Sequence, residues 1–126
     1  MILDTSAVLA IAFREPYATW VFDEVVRSHQ VLMSTVNLTQ TLIIFRQRKP
    51  ETFTELFDEL LASGVQFIPP DRAQAELAAA ARLQYPLNFG DCFAYALAKT
   101  QNLPLLTLDR DFRSTDIAVI LPPPQP

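Results

Sequence analysis

Cysteine, histidine and basic residues are all scarce in this 126-residue sequence. It holds one cysteine and one histidine, and 10 lysines and arginines face 14 aspartates and glutamates, giving a net charge of −4. A lone cysteine excludes an internal disulfide framework and suits a reducing compartment. With a single histidine, no Ser–His catalytic pair is evident. The acidic balance excludes a protein that coats nucleic acid non-specifically, so any contact with nucleic acid must be local.

Long apolar runs are absent too. No window reaches the roughly 20 apolar residues of a membrane span, and the first residues do not form a signal peptide because Asp4 interrupts them and no basic segment precedes them. We therefore expect a cytoplasmic protein that makes no membrane contact. Half of the residues are apolar, enough for one folded domain. We predict a single domain over residues 1–121 and an exposed, proline-rich tail over residues 122–126.

Short apolar segments alternate with helical patterns along the chain. Two helices follow each of the first three predicted strands, and one short helix lies between the fourth strand and the fifth. The strands lie near residues 2–3, 31–33, 65–68, 103–108 and 117–121. Strands that are separated by helices predict a parallel sheet with right-handed crossovers. Short apolar strands predict that helices cover both faces of this sheet. The expected fold class is α/β, with three layers and four to five short strands in the central parallel sheet.

An apolar pair at the N-terminus runs directly into a carboxylate, Asp4. We expect Thr5 or Ser6 to cap the helix that follows. Ligands of open α/β sheets bind beyond the carboxyl ends of the strands. We expect the first strand to be central and the fourth to lie beside it. Asp91, in the first turn of the helix before the fourth strand, and Asp109, at the end of that strand, then reach the same edge as Asp4.

Three carboxylates at one edge would repel one another and raise one another's pKa values unless a cation is bound. Hard oxygen ligands select Mg²⁺ or Mn²⁺, and such a metal can activate water and neutralise a phosphodiester. The sequence thus predicts metal-assisted hydrolysis, with Asp4, Asp91 and Asp109 as catalytic and metal-binding residues. Taken singly, Asp91 is also explained by the helix dipole and Asp109 by turn chemistry.

Three motifs in this order resemble the PIN domain, and within it the VapC-type toxin ribonucleases of bacterial toxin–antitoxin pairs. They are Met-Ile-Leu-Asp-Thr-Ser-Ala at the start, Leu-Asn-Phe-Gly-Asp at 87–91 and Leu-Leu-Thr-Leu-Asp-Arg-Asp-Phe at 105–112. The resemblance covers the whole chain and implies a doubly wound α/β/α sandwich. It also implies an Mg²⁺- or Mn²⁺-dependent endoribonuclease that cleaves RNA, forms a homodimer and is neutralised by a cognate antitoxin protein.

The resemblance assigns roles to individual residues. Asp4, Asp91 and Asp109 match the acids of the family's metal site. The positions that support the site in the family correspond here to Thr5 or Ser6, Thr107 and, as a helper acid, Asp111. For the homodimer, we expect a surface with large apolar side chains, drawn from Tyr17, Trp20 and the helix over residues 53–61.

Gln40 departs from the family pattern. The family usually has Ser-x-Val-Asn-Leu-x-Glu in its third helix, whereas this chain has Ser34-Thr-Val-Asn-Leu-Thr-Gln40. Glutamine keeps an oxygen ligand and loses the charge, which leaves weak metal binding, altered activity and a degenerate enzyme open. The alternative function is therefore a catalytically weakened PIN-like module that binds RNA or a protein. A receiver-like phosphoryl-transfer domain is disfavoured because the expected late-strand lysine is missing and Lys99 lies on a predicted helix.

Overall fold

The computed structural model describes residues 1–124 and contains five strands and six α-helices among them. In chain order these are β1 (Ile2–Leu3), α1 (Thr5–Ala12), α2 (Ala18–Arg27), β2 (Leu32–Ser34), α3 (Thr35–Arg48), α4 (Phe53–Ala62), β3 (Gln66–Ile68), α5 (Arg72–Gln84), α6 (Phe89–Gln101), β4 (Leu105–Leu106) and β5 (Val119–Ile120). Single 3₁₀ segments lie at Pro50–Thr52 and Arg110–Ser114. The predicted order and type of the elements are confirmed.

All strand pairs in the sheet are parallel, and the strand order is β3-β2-β1-β4-β5. Ile2 pairs with Leu32 on one side and with Leu105 on the other. The strand β1 is therefore central and β4 is its neighbour, as the sequence predicts. Because parallel strands end at the same edge, Asp4 and the residues that follow β4 emerge side by side.

The two faces of the sheet support separate apolar clusters. Alternate residues of β1 point to opposite faces, so Ile2 packs with buried residues of α5 and α6. Leu3 instead packs with residues from α1, α2, α3 and α4. Helices thus cover both faces, which is the three-layer arrangement that the uniformly apolar strands predict.

The cap of α1 differs from the expectation. Asp4, and not Thr5 or Ser6, is the N-cap residue, and its Oδ1 accepts a hydrogen bond of 3.1 Å from the amide of Ala7. The helix begins at Thr5, one residue earlier than a Thr5 cap would allow, because β1 ends at Leu3 and leaves only Asp4 between the two elements. Asp4 therefore combines a capping role with its place at the sheet edge.

The start of the proline-rich tail is not exposed as expected. Pro122 is buried, whereas Pro123 and Pro124 are exposed. The hydroxyl of Tyr17 donates a 3.0 Å hydrogen bond to the Pro123 carbonyl, which holds the chain against the segment between α1 and α2. The last two residues of the predicted tail, 125 and 126, lie outside the described residues. No helix within residues 1–124 is long and apolar enough to cross a membrane.

Candidate metal centre

A cleft of about 260 Å³ opens at the carboxyl ends of β1 and β4. Six of the residues predicted for the site line it, together with Leu9, Ile44 and Asn88; the six are Asp4, Thr5, Ser6, Gln40, Asp91 and Asp109. Two predicted residues are not part of its wall. Thr107 is fully buried behind the cleft, and Asp111 is exposed in the 3₁₀ segment that follows Asp109.

Asp4 is buried and accepts three hydrogen bonds from neighbouring residues. Its side chain is only 2% exposed. Oδ1 accepts hydrogen bonds from Ser6 Oγ at 2.7 Å and from the Ala7 amide at 3.1 Å, and Oδ2 accepts one from Thr107 Oγ1. Since each carboxylate oxygen has two acceptor positions, Oδ2 keeps one for a ligand in the cleft.

Two hydroxyls connect Asp4 to the segment that carries Asp109. Ser6 Oγ accepts from the Leu108 amide at 3.0 Å, and Thr107 Oγ1 accepts from the Asp109 amide at 3.0 Å. Both hydroxyl protons are donated to Asp4, so each hydroxyl bridges the first acid and the backbone of the loop after β4. These hydrogen bonds fix the position of Asp109 relative to Asp4, and the supporting role of Ser6 and Thr107 in a metal site stays a prediction.

Asp111 assists Asp109 through its backbone. Its amide donates a 2.9 Å hydrogen bond to Asp109 Oδ1, which makes Asp109 the N-cap of the 3₁₀ segment. Asp109 therefore stabilises the turn, as considered from the sequence, and it also lines the cleft. The exposed carboxylate of Asp111 contributes nothing to the cleft wall.

The acids of the cleft influence one another electrostatically. Burial, together with the neighbouring charges of Asp4 and Asp109, raises the pKa of Asp91 to about 7 from its ordinary value of 3.8. Burial also raises the pKa of Asp4, although hydrogen bonds from Thr107, Ser6 and the Ala7 amide oppose this effect. Such repulsion between acids is the condition that a bound cation relieves.

These residues fit a divalent cation that keeps much of its water shell. Within residues 1–124, no three acid, histidine or cysteine side chains are close enough to form a ready-made metal cage. Mg²⁺ is usually held by one or two carboxylates together with water, and not by a complete protein cage. The open acceptor position on Asp4 and the coupled carboxylates of Asp91 and Asp109 provide that kind of donor set.

Gln40 reaches the cleft through a contact that the sequence does not reveal. Asn37, which is fully buried in α3, donates hydrogen bonds of 3.1 Å from Nδ2 to Gln40 Oε1 and to the Gly90 carbonyl. Asn37 thereby joins the third and sixth helices beside the site. In the sequence Asn37 is visible as the asparagine of the motif from Ser34 to Gln40, but nothing in the sequence indicates its contact with Gly90.

Lys99 lies away from the acidic cleft, on the last turn of α6. Its Nζ pairs with Asp116, which also accepts a 2.6 Å hydrogen bond from the Tyr95 hydroxyl. These three residues connect α6 to the segment that leads into β5. The arrangement agrees with the argument against a receiver-like domain, in which a lysine would be expected near the acids.

Known proteins resemble this chain over nearly its full length. Relatives that are 36% identical include Ribonuclease VapC30 of Mycobacterium tuberculosis, matched over 98% of this chain and 100% of the relative, and Ribonuclease VapC of Mycolicibacterium smegmatis, matched over 95% and 99%. Among solved structures, VapC20 of Mycobacterium tuberculosis, described as a sarcin–ricin loop cleaving toxin, has a TM-score of 0.79 at 17% identity and covers 96% of this chain and 98% of its own. A toxin–antitoxin complex from Klebsiella pneumoniae has a TM-score of 0.74 at 20% identity, with 94% of each chain covered.

The family model for the PIN domain matches residues 1–118, which include all three strand-edge acids and every element up to the start of β5. The five-stranded parallel sheet, its strand order and its helical layers agree with that assignment and with the structural neighbours. The chain belongs to the PIN domain family.

Proposed function

We propose that this chain is a divalent-metal-dependent endoribonuclease, the toxin of a toxin–antitoxin pair. One observation carries the proposal: Asp4, Asp91 and Asp109 come from three separate segments and line a single cleft. The ribonuclease names of relatives that are 36% identical over almost the whole chain support the same activity. Mg²⁺ and Mn²⁺ are the proposed cations because the donors are carboxylate oxygens.

Each acid has a distinct part in the proposed reaction. Asp4 is held by hydroxyls and a backbone amide, so it provides a fixed oxygen ligand. Asp91 and Asp109 would complete the ligand set of the cation and would orient the water that attacks the phosphodiester. A bound divalent cation would supply charge neutralisation at the phosphate and would acidify that water. Thr5 and Asn37 hold Gln40 at the side of the cleft.

RNA cleavage by the purified chain in Mg²⁺ or Mn²⁺ tests this function. We expect cleavage to require the cation and to stop when EDTA is added. Asp91→Asn should lower the rate about 100-fold or more, the range typical of a lost catalytic acid or base. Asp58→Asn is the matched control, since it removes one carboxylate from an exposed position on α4. Equal rates in the two variants would contradict the assigned site.

A catalytically weakened PIN module that binds without cleaving is the second candidate. The observation that favours it is the neutral Gln40 where the family usually has an acid. RNA binding without metal-dependent cleavage by the wild-type chain, together with cleavage by Gln40→Glu, would support this candidate over the first.

A protein antitoxin and a second copy of the chain are the proposed partners. The antitoxin is supported by structural neighbours that are described as toxin–antitoxin complexes from Klebsiella pneumoniae and as VapBC from Salmonella typhimurium. Co-expression with the product of an adjacent small gene tests this partner. The expected result is a stable complex that has lost RNA cleavage.

A further inference from the structure

The side-chain amide of Gln40 has its oxygen turned into the protein. Oε1 accepts hydrogen bonds of 3.1 Å from Thr5 Oγ1 and of 3.1 Å from Asn37 Nδ2. The Asn37 NH₂ group donates one proton to this oxygen, and the single proton of Thr5 Oγ1 is shared between Gln40 Oε1 and the Asn37 carbonyl, which lies 3.2 Å from Thr5 Oγ1. A cation that approached Gln40 from the cleft would have to compete with these two donors for this oxygen.

The orientation of this amide is fixed by the Gly90 carbonyl, which can only accept hydrogen bonds. Asn37 Nδ2 lies 3.1 Å from that carbonyl, so the NH₂ group of Asn37, and not its oxygen, must face α6. The second proton of the same NH₂ group points to Gln40, which therefore presents its oxygen. The Oδ1 atom of Asn37 is left buried without a hydrogen-bond donor, a cost that this arrangement carries.

The absence of a side chain at position 90 makes room for Gln40. A Cβ atom built on Gly90 would lie 2.0 Å from Gln40 Nε2 and 2.3 Å from Oε1. The amide is thus held between Gly90 on one side and Thr5 with Asn37 on the other. Its NH₂ group has no hydrogen-bond acceptor among the side chains and backbone of residues 1–124.

Free N–H donors are rare in the cleft wall. The lining contains no lysine or arginine. The Thr5 hydroxyl bonds within the protein, and the Ser6 hydroxyl donates to Asp4. The remaining side-chain donors are two amides, Gln40 and Asn88. Asn88 repeats the same pattern, because its Oδ1 accepts a 2.8 Å hydrogen bond from the Asp91 amide and its NH₂ group stays available.

We propose that Gln40 and Asn88 form a pair of amide donors that bind phosphate oxygens of the RNA strand. The inference rests on the proposed ribonuclease function and gives Gln40 a substrate-binding role in place of a metal-ligand role. A strand of RNA that enters a cleft with three carboxylates needs donors that offset their repulsion. Neutral amides provide hydrogen bonds to phosphate without competing with a cation for the acids.

Binding measurements on Gln40→Met separate the two roles. Methionine has nearly the same length as glutamine but no N–H donor and only a weak acceptor. We expect its affinity for a fluorescein-labelled 12-nucleotide RNA, measured by anisotropy in Ca²⁺ under conditions where a gel shows no cleavage, to fall about fivefold to tenfold. Mn²⁺ affinity, measured by calorimetry without RNA, should stay within about twofold, since a substrate donor is not a ligand.

Two further variants complete the experiment. Gln47→Met changes the same residue type at an exposed position of the same helix and should leave RNA affinity unchanged. Asn88→Ser keeps an N-cap hydroxyl for α6 but removes the NH₂ group, so its RNA affinity should fall severalfold. It provides an independent test if Gln40→Met lowers the melting temperature so far that the protein does not fold.

Wild-type RNA affinity in both Gln40→Met and Asn88→Ser would overturn the inference while metal-dependent cleavage by the wild-type chain still supported the nuclease function. A tenfold loss of Mn²⁺ affinity in Gln40→Met would also overturn it, because that result assigns Gln40 to the metal. A wild-type chain that neither binds nor cleaves RNA would refute the proposed function, and the inference with it.

Discussion

At the scale of single residues, Asp4 serves two purposes with one side chain. Its Oδ1 caps α1 through the Ala7 amide, its Oδ2 accepts a hydrogen bond from Thr107, and the residue also lines the cleft. Asp4 is almost completely buried, so losing this carboxylate would remove a helix cap and the acceptor to which the Ser6 and Thr107 hydroxyls donate. Asp91 is the better residue for separating stability from function, because it makes no capping contact of its own through its side chain.

Asp91→Asn should stabilise the metal-free protein above neutral pH. The pKa of Asp91 is raised to about 7 in the folded state, so the folded protein binds this proton more tightly than the unfolded chain does. The free energy of unfolding of the wild-type protein therefore falls as the pH rises from about 4 to 7, and the whole of this loss is present above pH 7. With solvent screening allowed for, we expect about 1–2 kcal/mol at pH 8, or a rise in melting temperature of about 3–8 °C.

The pH and metal dependence of this stabilisation shows whether Asp91 acts in the acidic cleft or only on the dipole of α6. The gain should shrink towards zero near pH 4, and Mg²⁺ should stabilise the wild-type protein but not Asp91→Asn. Asp58→Asn, at an exposed position of α4, should show neither behaviour. A destabilised Asp91→Asn variant that still responds to Mg²⁺ would mean that Asp91 acts only on the helix dipole.

Gln40→Glu should tighten the binding of Mn²⁺ about tenfold, or roughly 1.4 kcal/mol. One carboxylate oxygen can take over the hydrogen bonds from Thr5 and Asn37, and the other takes the place of the NH₂ group, which lies against Gly90. The added charge attracts the cation, while desolvation removes much of the gross Coulomb energy. Calorimetric titration with Mn²⁺ measures the change, and an RNA cleavage assay shows whether activity rises with it.

The matched control for this substitution is Gln47→Glu, which adds the same charge at an exposed position of α3. An affinity for Mn²⁺ that rises equally in both variants would reflect general electrostatic attraction. An unchanged affinity in Gln40→Glu would mean that a carboxylate at position 40 does not interact with the cation.

At the scale of elements, the cleft depends on how α3 and α6 pack. Asn37 and Gln40 on α3 meet the backbone of α6 at Gly90, and the hydrogen bond from Asn37 to the Gly90 carbonyl joins the two helices. A second connection, from Ser6 and Thr107, joins the start of α1 to the loop after β4. These two sets of polar contacts keep segments that are distant in sequence in register at the site.

Gly90→Ala should lower stability by about 1–3 kcal/mol although alanine favours a helix. The new Cβ atom would lie 2.0 Å from Gln40 Nε2, which forces the amide to move and leaves Asn37 Nδ2 without one acceptor. The double variant Gly90→Ala with Gln40→Ala removes the clash, so the two effects should be less than additive. Urea unfolding of the four proteins measures the coupling, and strict additivity would contradict the packing argument.

At the scale of the whole molecule, the core absorbs most of the large apolar side chains. The sequence predicts an apolar dimer surface from Tyr17, Trp20 and the helix over residues 53–61. Of the large apolar side chains in this set, only Leu61 is exposed, and the others are buried or partly buried. The most exposed large apolar side chains lie instead on α5 and α6, with Leu83 at 91% and Phe89 at 69%. Surfaces of this kind are typical of contacts with other chains.

A homodimer remains our prediction for the protein in solution. Light scattering should give a mass near twice the 14.2 kDa of the chain over a range of concentrations. Leu83→Glu and Leu61→Glu test two different faces, since they lie on α5 and α4, and the variant that yields a monomer identifies the interface. A wild-type mass of one chain at every concentration would refute the dimer.

The sequence by itself determined the succession of elements and the edge of the sheet at which acids that follow parallel strands meet. These features follow from apolar periodicity, helix breakers and the rule that parallel strands end at one edge. Asn88 as the cap of α6 and Gly64, with a φ of +86°, after α4 are equally local and were predictable for that reason.

Only the tertiary structure decided how the side chains of the site, such as Gln40 and Asp4, are oriented and which of their atoms remain available to a ligand. The orientation of Gln40 depends on Asn37 and Gly90, which are 53 positions apart, and the anchoring of Asp4 depends on Thr107, 103 positions away. The burial of Pro122 likewise accompanies a contact between Tyr17 and the neighbouring Pro123 carbonyl. No local pattern encodes such contacts, because hydrogen bonding between distant segments depends on where packing brings them together.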